Sequence, residues 1–502
     1  MDRSLHPILS CAEARQFEAT YLGGDETREW QAMNAAGTGL SHAVERDLAE
    51  VGGLPAEARV LVLVGKGHNG GDALLAAADL AQRHPMLTVD VWLVYGEKAM
   101  RPLALRALRR LAETARERER RTDAKRVGPT YDIVIDGVFG FQFRAPLDAR
   151  AAAVLTKANG VAARLRAAVD LPSGLGERDA FRADITYATG IVKTPLLGLP
   201  NAGRLRFLGL GFPTAAAFPH AREWVAGSAI LAPLNRLRPA ASDKRTYGHL
   251  FIVGGSGRYP GAVLMSVLAA LQSGVGLVTA FVPASLAPAF AARVPEAMWV
   301  GWPETPDGGL AIEGAHLFRE KAERMTALLI GPGLGREGET LSLARDLILT
   351  SRVPVVIDAD ALQADTVRDL KVPAILTPHA GEFARIAGGQ DVTTFSAERR
   401  VVTVLKGPVT CVADGRTVVH SFFGGPVLAR GGSGDLLAGL VGGLLAQTPG
   451  DPRLAAIQGV VWHGQAADRL AQTRGAVAVR TTDLLEYLAF TIHLQQGFTP
   501  SR

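Results

Sequence analysis

Asn69, Asp136 and Ser173 each bring a hard side-chain oxygen to the end of an apolar run, in "VLVLVGKGHNGGD", "YDIVIDGVFG" and "RAAVDLPSG". Runs of that kind read as strands, and strand ends converge in an α/β layer. The three oxygens are therefore placed to surround one cation. Taken singly, each also reads as turn chemistry, because an Asp before Gly commonly caps a turn or helix. His68 and Asp72 flank Asn69, and Asp170 stands just ahead of Ser173. A second group centres on Asp435 in "LARGGSGDLLAG". Backbone N–H groups at a helix start are unpaired and favour anions. Such donors can hold a phosphoryl group while Asp435 takes a proton from an attacking hydroxyl. The plainer alternative is that Asp435 only caps its helix.

Gly65, Gly67 and Gly70 have the G-x-G-x-x-G spacing. A dehydrogenase-type dinucleotide site would also need an acidic residue about twenty positions on, at the tip of the next strand. Asp90 lies inside its strand, in "LTVDVWLVYG", so the first glycine loop is defined by its own polar residues instead.

Positioning these groups requires a layered scaffold. Up to residue 50 the apolar spacing predicts helices over "CAEARQFEATYL" and "TREWQAMNAAGTGLSHAVERDLAEV". Strands and helices then alternate with short Gly-, Pro- or Asp-rich turns, which predicts a mostly parallel sheet covered on both faces. Ligands bind beyond the carboxyl ends of such strands. The pattern lapses in "LAPLNRLRPAASDKRTYG" and resumes with "HLFIVGG", "GLVTAFVP", "ALLIGPG", "VPVVIDADAL", "PAILTP", "VTVLKG", "VTCVADG" and "TVVHSF". Two α/β domains are expected, over residues 1–228 and 248–495, with residues 229–247 as a linker. The segment from Gly434 to about Arg474 is expected to be helical.

A chain of 502 residues is too long for one core. Its pI near 9.3 traces to residues 101–126, where ten Lys or Arg face four Asp or Glu; that surplus exceeds the whole-chain net of +5. Interleaved signs there predict a solvated surface helix, not a nucleic-acid interface. Cys11 and Cys411 are too few for a disulfide scaffold or a cysteine metal site. No apolar run has the length of a membrane span, and no secretory segment is read at the N-terminus. A cytoplasmic protein is expected, working on small molecules, without nucleic-acid or membrane partners, and as a homo-oligomer.

The order "GKGHNGGD", "DGVFG", "VDLPSG" resembles the NAD(P)H-hydrate epimerase domain, over roughly residues 10 to 225. The resemblance implies a Rossmann-like fold and potassium bound by Asn69, Asp136 and Ser173. It places the hydrated nicotinamide against His68, Asn69, Gly70, Gly71 and Asp72, and against Asp170. The loop of Gly140, Phe141, Gln142, Phe143, Arg144, Ala145 and Pro146 would complete that contact. Asp170 is the candidate catalytic group. His68 stands where the family usually has Asn, and Ala73 where it usually has Gly.

From about residue 240 to 490, "GGSGRYPGAVLMSVLAALQSGVGLVT", "VPEAM", "GPGLG", "DADAL", "LTPHAGEF", "LKGPVT" and "ARGGSGDLLAG" resemble the ADP-dependent NAD(P)H-hydrate dehydratases, which have the ribokinase-like fold. That implies substrate contacts from Ala262, Gly333, His379, Ala380, Gly381, Glu382, Phe383, Ala384, Arg385 and Asp435, the last as catalytic base. ADP would be held by Lys406, Gly407, Pro408, Val409 and Thr410. Gly425, Pro426, Val427, Leu428, Ala429, Arg430, Gly431, Gly432, Ser433 and Gly434 would form the rest of its seat. Gly425-Pro426-Val427 replaces the usual N-P-G turn, and Arg430 replaces a small hydroxyl residue. Magnesium would accompany the nucleotide. Together the halves imply repair of hydrated NADH and NADPH: epimerisation by the first, ADP-driven dehydration of the S hydrate by the second, giving NAD(P)H, AMP and phosphate. The alternative is a vitamin or sugar kinase fused to a non-catalytic Rossmann-like module, since "LTPHAGEF" also resembles the T-P-N-x-x-E segment of such kinases.

Overall fold

A computed structural model describes residues 4–493. The chain divides into two compact units whose main bodies are His6–Ala221 and Arg222–Leu470. The first contains strands β1 (Leu5–Leu9), β2 (Arg59–Val64), β3 (Thr88–Leu93), β4 (Glu119–Arg121), β5 (Thr130–Gly137), β6 (Ala162–Val169), β7 (Ile185–Thr189), β8 (Val192–Lys193) and β9 (Arg204–Leu208). Seven of these form a sheet in the order β4-β3-β2-β5-β6-β7-β9, with every neighbouring pair parallel.

Central parallel strands are covered on both faces, so their apolar runs are nearly continuous. In β2, Val60, Val62 and Val64 pack into one core with Leu74 and Leu103, from helices His68–Arg83 and Pro102–Ala115. Leu61 and Leu63 point the other way, onto Val154 and Leu155 of helix Ala149–Asn159. After β2 the chain runs outward to β3 and β4, then returns to β5 on the other side of β2. That reversal opens a crevice beyond the strand ends.

The second unit contains β10 (Glu223–Ala226), β11 (His249–Val253), β12 (Leu277–Pro283), β13 (Met298–Trp302), β14 (Ala327–Ile330), β15 (Val355–Ile357), β16 (Ala374–Leu376), β17 (Val402–Leu405), β18 (Thr410–Ala413) and β19 (Val418–Ser421). They lie in the order β13-β12-β11-β14-β15-β16-β17-β18-β19-β10, parallel except at β17-β18 and β18-β19. The order reverses again between β11 and β14. Helices Pro260–Gln272 and Ser433–Gln447 pack closely: a Cβ on Gly439 would fall 2.1 Å from the Ser266 carbonyl oxygen. Only glycine allows that approach.

Three local expectations are corrected. The basic segment is not one helix: it ends at Ala115, and Glu119–Arg121 joins the sheet edge beside β3. The closing helical segment breaks into Ser433–Gln447 and Pro452–Arg474, because Thr448–Asp451 carries a Pro-Gly turn and Pro452 suits a helix start. A strand at Leu5–Leu9 precedes the first helix. Strand β10, which the sequence reading assigns to the end of the first domain, pairs with β19. Residues 1–3 and 494–495 of the expected domains lie outside the described residues. Among the described residues no helix is long and apolar enough to cross a membrane.

Candidate active sites

In the first unit, a cavity of about 500 Å³ opens at the reversal between β2 and β5. His68, Asn69 and Asp72 reach it from the start of helix His68–Arg83, residues 138–143 from the turn after β5, and Asp170 from the end of β6. The remaining loop residues expected there, Arg144, Ala145 and Pro146, do not line it; nor do Gly70 and Gly71, which are buried in the helix start.

The three expected cation ligands do cluster. Asn69 Nδ2 donates to the Phe139 and Val169 carbonyls, both at 2.8 Å. Those bonds turn Asn69 Oδ1 toward Gly140, where a Cβ would sit only 2.7 Å from it. Ser173 Oγ donates to Asp136 Oδ1 at 2.7 Å and lies 3.3 Å from the Phe139 carbonyl that Asn69 also uses. The Ser173 and Val138 amides complete the hold on the Asp136 carboxylate. Burial pushes Asp136 up to about 6, against those hydrogen bonds.

Asp170 has φ +66°, in the left-handed region that a non-glycine residue seldom adopts. Backbone strain of this kind clusters at functional sites. Its Oδ1 lies 2.5 Å from Lys193 Nζ, and the two side chains are 3% and 1% exposed. Lys193 also sits 4.7 Å from the Phe141 ring centroid. Sequence reasoning missed Lys193; the available signal was a lysine closing the apolar run "ATGIVK". It also missed Glu18, which reaches the cavity from helix Cys11–Leu22. Burial raises Glu18 to about 7, with Lys193 pulling it down and Asp170 pushing it up. Burial, then the charges of Asp170 and Glu18, drive Asp72 well above the usual carboxylate range. Burial lowers His68, whose ring faces Glu29 at 3.7 Å.

In the second unit, Asp358 from the end of β15 and Lys406 from the end of β17 converge on the "GGSGD" turn. Gly432 takes φ +89°, and Ser433–Gln447 begins without a side-chain cap. Asp435 stands in the first turn, where its carboxylate faces its own backbone N–H. Lys406 follows β17, and a Cβ on Gly434 would lie 3.2 Å from its Nζ. That ammonium donates to Asp358 Oδ1 at 3.1 Å and lies 3.9 Å from Glu382 Oε2. Asp358, at the end of β15, also accepts from Thr377 Oγ1 at 2.7 Å. Burial, followed by the Asp358 charge, pushes Asp435 up to about 6 although Lys406 opposes it. Burial alone would lower Lys406; the Asp358 and Glu382 carboxylates raise it.

His379 and Glu382 form a reciprocal cap at the start of helix Ala380–Ala387. Ala262 and Gly333 are neighbours, 3.0 Å from the Ala262 Cβ to a Cβ built on Gly333. Several of the expected contact residues also have partners within the chain. The Phe383 ring meets Phe395 edge-on at 5.3 Å, and Arg385 lies 3.4 Å from the Leu362 carbonyl. Arg430 donates to the Val477 carbonyl at 2.8 Å, and Val427 is buried. Asp358 was not among the expected site residues, although "DADAL" was read as part of the pattern.

Two family models match in chain order: YjeF-related protein N-terminus over residues 29–195, and NAD(P)H-hydrate dehydratase over residues 250–489. A bifunctional NAD(P)H-hydrate repair enzyme of Moorella thermoacetica is 33% identical, covering 92% of this chain and 92% of its own. One of Thermosynechococcus vestitus is 34% identical, covering 97% of each. A solved ADP/ATP-dependent NAD(P)H-hydrate dehydratase of Bacillus subtilis, co-crystallised with ATP and Mg2+, is 30% identical over 51% of this chain and 92% of its own, with TM-score 0.44. Two domain families in one order, and relatives about one-third identical along nearly their whole length, place this chain in the family of bifunctional NAD(P)H-hydrate repair enzymes.

Proposed function

We propose that the two units divide the repair as follows. The first interconverts the epimers of hydrated NADH and NADPH in the β2–β5 cavity. The second phosphorylates the ring hydroxyl of the S hydrate from ADP and eliminates phosphate. Hydroxide is a poor leaving group and phosphate a good one, which is why a kinase-like site suits a dehydration. Asp435 takes the hydroxyl proton, the "GGSG" backbone donors hold the transferring phosphoryl group, and Lys406 meets its charge. The observation that carries this reading is the Lys406 ammonium held beside Gly434 at the helix start that bears Asp435.

Magnesium is usually held by one or two carboxylates together with substrate phosphates. Asp358 and Glu382, which converge on Lys406, fit that donor set. When bound, the ion would supply charge neutralisation to the phosphates. In the first unit, Asp136 is fully buried and its carboxylate is held by the neutral donors Ser173 and Val138. A monovalent cation would balance it. Ser173 Oγ lies on that carboxylate and shares the Phe139 carbonyl with Asn69; a donor set of one carboxylate with neutral Asn and Ser suits potassium, since divalent ions usually collect more carboxylates. Potassium there would fix the β5 and β6 turns that carry Gly140 and Asp170.

The test is recovery of NADH absorbance from a mixture of both hydrate epimers supplied with ADP or ATP. Complete recovery is expected. A kinase with an unrelated N-terminal module would leave the hydrate unrepaired.

A further inference from the structure

The first cavity contains a carboxylate that the division of labour above leaves unused. Glu18 lies on the inward face of helix Cys11–Leu22, one turn beyond the fully buried Ala14. Its neighbour Phe17 packs against Phe212 and Phe218, which holds the helix over the strand ends. Among the described residues the Glu18 carboxylate makes no hydrogen bond or salt bridge, yet it is half-buried and lines the cavity. Asp170, by contrast, is locked to Lys193.

The chemistry of the hydrate says what such a group would do. Water adds to the enamine-like double bond of the reduced ring so that the hydroxyl lands on the carbon attached to the ring nitrogen. That carbon inverts when its C–O bond breaks and re-forms on the other face, a route open to it because the adjacent nitrogen can supply its lone pair. We propose that Glu18 is the acid–base group for this step, with the ring held between it and Asp170. The Glu18 carboxylic acid protonates the hydroxyl as the C–O bond breaks, and water departs. The nitrogen lone pair forms the C=N bond of an iminium ion. Water then adds to the opposite face, the C=N electrons return to nitrogen, and the added water gives its surplus proton to Asp170. Exchange with solvent resets both carboxyls, so the net change is inversion at one carbon.

Glu18 suits this task better than its neighbours. A catalytic acid works best when its pKa is near the working pH. Burial raises Glu18 to about 7, so it populates both forms, whereas burial and the charges of Asp170 and Glu18 drive Asp72 well above its ordinary range. The charges whose influence reaches Glu18 are Lys193, from β8, and Asp170, from the end of β6. Asp72 and His68 from helix His68–Arg83, and Glu29 from helix Glu26–Leu48, face the same cavity. Lys66, Arg101 and Asp148 stand along its wall from the connecting loops.

The inference rests on epimerisation by the first unit. The test follows conversion of a single epimer of hydrated NADH by chromatography, without nucleotide, in the full chain and its Glu18→Gln and Glu18→Asp variants. Wild type that fails to epimerise would reject the underlying reading; wild type and Glu18→Gln that epimerise equally would reject only the role of Glu18. Glu18→Gln is expected to lose roughly 10²–10⁴-fold in kcat, with little change in KM and unchanged ADP-driven dehydration of the S hydrate. Glu18→Asp should recover part of the rate, and the pH limb near 7 should vanish in Glu18→Gln. In water enriched in ¹⁸O, the inverted hydroxyl should carry solvent oxygen. A loss confined to KM, a pH limb that persists in Glu18→Gln, or inversion with the original oxygen retained would overturn the proposal.

Discussion

Replacing Lys193 by Met tests whether the buried pair at the first site is an electrostatic unit. Lys193 Nζ lies 2.5 Å from Asp170 Oδ1, with the side chains 1% and 3% exposed. An exposed pair contributes about 0–1 kcal/mol. Removing one partner of a buried pair costs roughly 3–5 kcal/mol, because the other charge is left without compensation. Met keeps most of the volume, so little of the loss comes from a cavity. At about 1.4 kcal/mol per decade, the slowest-exchanging amides of β5 and β6 should exchange roughly 150- to 5,000-fold faster. Hydrogen exchange read by mass spectrometry localises that change within the full chain. The double variant Lys193→Met/Asp170→Asn removes both charges and should regain most of the protection while epimerisation stays lost. A single variant that costs less than about 1 kcal/mol, or a double variant no better protected than the single, would show that the pair does not behave as a buried ionic unit.

Asp435→Asn should reduce dehydration by roughly 10²–10⁴-fold while ADP still binds in calorimetry, because the glycine backbone donors remain; more than about a third of wild-type turnover would sink the base assignment. With Asp435 raised to about 6, its carboxylate is protonated below that pH, so kcat/KM for dehydration should fall as pH drops through about 6, and the Asn variant should lack that limb. Asp136→Asn should abolish the potassium dependence of epimerisation, measured against tetramethylammonium at equal ionic strength; an unchanged potassium response would remove Asp136 from the site. A fragment beginning at residue 222 keeps β10 beside β19 and should dehydrate only the S hydrate, leaving about half of a racemised mixture to slow spontaneous epimerisation. A single fast phase that consumes both epimers would end the proposed division of labour.

Both α/β units were legible in the chain because central parallel strands, buried on both faces, must be apolar along their length. Each strand end was marked by the Gly, Pro or Asp of its turn. The convergence of Asn69, Asp136 and Ser173 followed from the same logic, since hard oxygens at the ends of adjacent parallel strands have one crevice to share. The basic segment misled because charge periodicity records solvent exposure, and an edge strand at Glu119–Arg121 is as exposed as a helix. Glu18 and Lys193 were illegible for the opposite reason. Glu18 sits in an ordinary amphipathic helix, Lys193 closes a two-residue strand, and neither has a signature of its own. Their character arises from burial against Asp170, a residue far away in sequence. Asp358 was illegible for the same reason: it meets Lys406, which the sequence did point to, only across β15 and β17. Local pattern decides which residues end a strand. Only the packed sheet decides which charges face each other out of water, and hence which of them hold or move a proton.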